Sequence, residues 1–171
     1  MSDTGCFCKN RNRKMESAAI ISSCKHYRYS LTRKWSNEPS VLFVMLNPSW
    51  ADAVDNDRTV NRCIAFAKSW GFGSIAVGNL FAFRTPSPAE MMATNDPIGD
   101  ENDDWLSRLQ TSADLTVAAW GNGGLFRGRG RAVSRLLIKP HALRITKLGE
   151  PSHPLYIRSD TQPSVWDVAV D

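Results

Sequence analysis

Four short clusters carry the groups in this chain that could do chemistry. The first is Asn47-Pro48-Ser49, followed within one loop by Asp52, Asp55 and Asp57. An asparagine amide both donates and accepts, so Asn47 could read a base edge or position a water. A carboxylate beside it, with Asp52 the first choice, could act as general base or hold a magnesium ion. The plainer alternative is that Asn47 and Ser49 satisfy their own turn and that one of the aspartates caps a helix. The second cluster is Asn79 to Arg84 (NLFAFR). There Asn79 could pair with a polar ligand edge, Phe81 or Phe83 could stack on a ring, and Arg84 could hold a phosphate. The alternative puts the phenylalanines in the core.

The third cluster is the loop Gly121-Asn122-Gly123-Gly124. It lacks the Lys-Ser/Thr pair of a phosphate-binding P-loop, but short glycine loops let a ligand approach the backbone. Arg127, Arg129 and Arg131 follow at alternate positions and suit phosphate contacts. The fourth is Ser152-His153-Pro154, where a histidine could serve as an acid or hydrogen-bond donor. His26 and His141 lie in less suggestive settings.

Neither a metal nor a cofactor is expected. Cys6-x-Cys8 is closer than the usual C-x-x-C ligand pair, and the fourth cysteine, Cys63, stands alone. A Cys6/Cys8/Cys24/His26 set is the alternative to plain reduced thiols.

The elements that must position these clusters read as an alternation of strands and helices. Residues 26–35 alternate as a strand with Tyr27, Tyr29 and Leu31 on one face and Arg28 on the other. VLFVML (41–46) is a continuous apolar run, the mark of a strand buried on both faces, and Pro48 ends it. Asp57 is placed as the N-cap of a helix running to Trp70 with Gly71 as its stop. Within it Val60, Ile64 and Ala67 form an apolar stripe, with Cys63 and Phe66 beside it. SIAVGNLF (74–81) and LTVAAW (115–120) read as two more buried strands, and Leu143–Lys147 as a fourth. Helical stretches are expected at PAEMMA, at Asp103–Ser112 and over 130–138. This order predicts a three-layer α/β/α fold around a short, mostly parallel sheet. Ligands bind such sheets beyond the carboxyl ends of the strands, where Asn47, Asn79 and the glycine loop all fall.

The chain of 171 residues suits one domain, 17–171, preceded by a flexible basic arm, 1–16. No apolar run approaches the roughly 20 residues of a membrane helix, and the N-terminus has no apolar core. A cytoplasmic protein is expected. The charge is unevenly spread. Residues 1–35 hold eight Lys/Arg and two acids, and residues 115–149 hold seven Lys/Arg and no acid, while 36–114 hold five basic and eleven acidic residues. If the two basic segments converge, they suit a nucleic acid or nucleotide partner.

LFVMLNPSWAD, DRTVNRCIAFAKSWGFG, NLFAFRTPSP, DPIGDEND, AAWG and HPLY, in this order from Tyr27 to Tyr156, resemble the domain of unknown function 1643 family, which carries no assigned activity. A more distant resemblance is to the uracil-DNA glycosylase superfamily. It lies in the Asn47-Pro48 turn after the first core strand, Arg84-Thr85-Pro86, a glycine turn after a strand, and a late histidine loop. It implies a glycosylase-like α/β/α fold, with Asn47 positioning water, Asn79 reading the base and His153 beside the base. Met45 stands where that superfamily has glycine, and Leu155-Tyr156-Ile157 replaces its small-residue DNA-inserting loop, so duplex DNA is the less favoured substrate.

The expected function is therefore hydrolysis of an N-glycosidic bond in nucleic acid or a nucleotide. Asn47, Asp52 and His153 would be catalytic. Pro48, Ser49, Asn79, Phe81, Arg84, Gly121, Asn122 and Arg127 would bind substrate. The alternatives are a non-catalytic nucleotide- or nucleic-acid-binding module, and a phage or mobile-element interaction protein that keeps the fold without the chemistry.

Overall fold

An apolar run such as VLFVML needs cover on both faces, and the fold supplies it. In the computed structural model, which describes residues 15–168, this run is β3 (Ser40–Met45), preceded by β1 (Glu16–Ile21) and β2 (Arg28–Lys34). There follow α1 (Arg58–Ser69), β4 (Ser74–Asn79), α2 (Pro88–Ala93), α3 (Asn102–Ser112) and β5 (Leu115–Ala118). The chain then runs through a 3-10 segment (Gly121–Gly128), α4 (Arg129–Ser134), β6 (His141–Ala142), a 3-10 turn (Pro154–Tyr156) and β7 (Ser164–Val165). The sheet order is β1-β2-β4-β3-β5-β6-β7. The four central strands are parallel, and β1, β2 and β7 join antiparallel at the two sides.

Alternate side chains of β3 feed two separate cores. Val41, Phe43 and Met45 pack with Val60, Cys63, Ile64, Phe66 and Ala67 of α1. Leu42 and Val44 pack on the opposite face with Met91 of α2, Leu106 of α3 and Val133 of α4. Helices therefore cover both faces of a mixed α/β sheet. Among the described residues no helix is long and apolar enough to cross a membrane.

Helix α1 forms as its sequence dictates. Asp57 accepts from the Val60 N–H at 2.8 Å, and the helix stops before Gly71, whose φ of +83° suits glycine. Three expectations are corrected. Leu143–Lys147 is not a sheet strand: the parallel strand is the two-residue β6. Beyond it Ile145 bridges to Pro151, and the Thr146 N–H donates to the Glu150 carbonyl at 2.8 Å, closing a turn. The helix expected over 130–138 ends at Ser134, where the Ser134 hydroxyl donates back to the Arg131 carbonyl. The strand at 26–35 is Arg28–Lys34, but both of its arginines, Arg28 and Arg33, are buried. The proposed arm lies outside the described residues but for Met15 and Glu16, and Glu16 opens β1.

The order β4-β3-β5 matters most for function. The chain leaves β3 through α1 to reach β4 on one side, and it leaves β5 for β6 on the other. Neighbouring parallel strands whose connections depart in opposite directions open a crevice at their carboxyl ends.

Candidate functional site

The loops after β3 and β5 flank this crevice. A cavity of about 450 Å³ opens there, lined among others by Arg28, Met45, Asn47, Ser49, Asp57, Thr59, Trp120, Gly121, Asn122, His153 and Tyr156. Three of the four sequence clusters thus meet at one wall or another of the same cavity.

Local hydrogen bonding fixes each group. Asn47 Nδ2 donates to the Thr85 carbonyl at 2.8 Å and to the Pro48 carbonyl at 3.4 Å, while the Thr85 N–H donates back to Pro48 at 2.9 Å. The donor end of the amide is thereby anchored. Asn47 Oδ1 has no hydrogen bond among the described residues. The Ser49 hydroxyl donates to Asp57 Oδ2 in a short contact, and Asp57 Oδ1 caps α1. Asp57 therefore places its carboxylate in the cavity wall and ties the β3 turn to the helix.

On the opposite wall Gly121 has φ +67° and donates its N–H to the Pro151 carbonyl at 2.7 Å. That bond brings the His153 loop against the glycine loop. His153 Nδ1 accepts from the Leu155 N–H at 3.4 Å. In the neutral ring the proton then sits on Nε2, making that nitrogen a donor. Burial lowers the His153 pKa, opposed by the nearby Asp57 charge, so the neutral form dominates at pH 7. Tyr156, 76% exposed, stands at the mouth, its ring centroid 5.9 Å from that of His153.

The remaining expected residues fall elsewhere. Asp52 is not a lining residue. Its Oδ1 accepts the N–H groups of Val54 and Asp55 at 2.7 and 3.0 Å, and these bonds hold its pKa below the usual carboxylate value. Pro48 is buried behind Asn47. Asn79 is buried beneath the cavity, where its Oδ1 meets the Arg28 guanidinium at 3.5 Å and its Nδ2 has no partner among the described residues. Phe81 is wholly within the core against Phe126. Arg84 lies over the exposed Trp50 ring, 5.7 Å from its centroid, and donates to the Lys25 carbonyl. Arg127 is exposed and away from the cavity, reaching the Asn95 carbonyl at 3.4 Å. Arg129 is buried and ion-paired with Asp103, which occupies its guanidinium. Cys24 is exposed and Cys63 is buried in the core, whereas Cys6 and Cys8 lie outside the described residues.

Arg28 and Thr59 are among the lining residues outside the expected site groups. Arg28 was assigned only to the far face of its strand, and Thr59 to the first turn of α1. The available signal is an arginine opening a strand whose next three residues, Tyr29, Ser30 and Leu31, are also able to be buried, a pattern that pairing or a ligand must justify.

The profile of the family described as Protein of unknown function (DUF1643) matches residues 28–155, which span every cavity residue named above except Tyr156. No curated protein and no solved structure matches the chain.

Proposed function

The chain belongs to the DUF1643 family, and we propose that it is a glycosylase-like hydrolase of an N-glycosidic bond in a nucleotide or nucleic acid. One observation carries the reading. Asn47 with a free Oδ1, the Ser49–Asp57 pair and a neutral His153 face one cavity at the carboxyl ends of parallel strands. Its volume of about 450 Å³ accommodates a base and part of a sugar.

The chemistry follows from these groups. A water held by Asn47 Oδ1 attacks the anomeric carbon as the bond to the base nitrogen breaks. The bonding electrons leave with the base. Nε2–H of His153 hydrogen-bonds the departing base and stabilises its developing negative charge. The water's proton passes toward Asp57, which takes the role first given to Asp52 because it lines the cavity and Asp52 does not. Tyr156 offers a face for stacking on the base or its neighbour.

A binding module is favoured by one fact: both Asp57 oxygens already accept hydrogen bonds, from Ser49 and from Val60. Incubating the protein with oligonucleotides bearing uracil or modified bases, and separately with nucleotides, distinguishes the readings. Release of free base supports the hydrolase. Tight, salt-weakened binding without release supports the module.

A further inference from the structure

Arg28 is only 2% exposed, and among the described residues no carboxylate lies within ion-pairing distance of it. Its NH1 donates to the Ala51 carbonyl at 2.7 Å and its NH2 reaches Asn79 Oδ1 at 3.5 Å, both neutral acceptors. Its Nε is buried without a partner. Burial lowers its pKa to about 10, so the guanidinium remains charged at neutral pH. The Asp57 carboxylate, and more weakly Asp52, act on this charge only through space, while every hydrogen bond it makes goes to a neutral acceptor, so a bound anion would complete its surroundings.

The position of this charge matters. Arg28 lines the same cavity as Asn47 and His153, and Thr59 of the opening turn of α1 lines it too. The Thr59 hydroxyl makes no hydrogen bond among the described residues. Asp57, the carboxylate at that helix end, is turned to Ser49 and Val60 and forms no ion pair with Arg28. A guanidinium and a hydroxyl that line one base-sized cavity suit a phosphate.

We propose that Arg28, with Thr59, forms a phosphate subsite within the cavity, so that the preferred ligand is a phosphorylated nucleotide and not a nucleoside. This deepens the proposed function and rests on it for the base, but not for the phosphate. Neither a neutral base nor a neutral sugar would balance the buried charge.

Isothermal titration of the full chain tests it with inorganic phosphate, a nucleoside and its monophosphate. Phosphate alone should bind and compete with the monophosphate, and the monophosphate should bind about tenfold or more tightly than the nucleoside. Thr59→Val, in a partly exposed position, should narrow that ratio several-fold, weakening the monophosphate more than the nucleoside. Arg28→Gln should abolish it, with circular dichroism to establish folding. Equal affinity for nucleoside and monophosphate, without phosphate competition, overturns the subsite. Phosphate binding with no affinity for any nucleoside or nucleotide leaves the subsite standing and defeats the base-binding reading.

Discussion

The Ser49 hydroxyl and the Asp57 carboxylate are joined directly, linking the turn after β3 to the N-cap of α1. The same carboxylate accepts the Val60 N–H at 2.8 Å. A single side chain thus starts a helix, fixes a loop and faces the cavity. Removing it should cost both stability and site geometry. Asp57→Ala is expected to lower unfolding stability by about 1–2 kcal/mol in urea titrations, the ordinary cost of losing an N-cap. Ser49→Ala removes only the second bond and should cost less, about 0.5–1.5 kcal/mol. A double-mutant cycle should give a non-zero coupling between them, and strict additivity would contradict the link.

Gly121 tests the opposite wall. Its φ of +67° is left-handed, yet a Cβ there would come no nearer than 3.8 Å to its closest neighbour, His153 Cβ. The cost of a side chain is therefore backbone strain and not overlap. Gly121→Ala should lose roughly 1–2 kcal/mol. Gly121→Asn should lose less, because asparagine tolerates this region, although it is larger. Thermal or urea unfolding of the pair decides it: a greater loss for asparagine would indicate crowding.

His153 sets the pH dependence. Burial lowers its pKa below the ordinary histidine value of about 6.5. The folded state therefore binds fewer protons than the unfolded state between the folded and unfolded pKa values. Stability from this group is fully present above about pH 6.5 and falls as the pH drops through that value toward the folded pKa. Replacing His153 with glutamine should flatten this part of the stability profile. Ligand affinity that depends on the neutral donor should be level near pH 7 and change only below pH 6.5, as read by titrations at several pH values.

Much of this arrangement is legible in the sequence where local rules decide. The run VLFVML gives a strand covered on both faces, and Asp57 with Gly71 bounds α1. Asn47, Gly121 and His153 mark strand ends and loops that converge. The misses share a cause, because each depends on partners distant in sequence. β1 pairs its ESAAII with β2 across a bulge and is mostly exposed, so no apolar period announces it. β6 is two residues long because its strand is defined by β5 and β7, not by its own pattern. Asp52 and Asp57 are alike in type and five positions apart; only the fold places one in the cavity wall and the other in a turn. The alternation places Arg28 only on the face opposite Tyr27, Tyr29 and Leu31, and nothing local marks it as buried, because the loop carrying Ala51, which covers it, lies 23 residues away.

Asn102 shows how the floor of the site is held. It is fully buried and donates from Nδ2 to the carbonyls of Asn79 and Leu80, both at 3.0 Å. Asn79 in turn meets Arg28. Asn102→Ala strips a donor from two buried carbonyls and should destabilise the protein by about 1–3 kcal/mol. It should also weaken ligand binding at temperatures where the variant is fully folded. Unchanged affinity in the folded variant would separate this floor from the cavity.

The central claim is that one cavity cleaves a base from its sugar, and quantifying free base by chromatography tests it most directly. The measurement compares the intact chain with Asn47→Ala and His153→Ala across the substrate panel. Release of a base by the intact protein, reduced about a hundredfold or more in each variant while both remain folded, is the predicted result. No release from any substrate, or release undiminished in both folded variants, would contradict it.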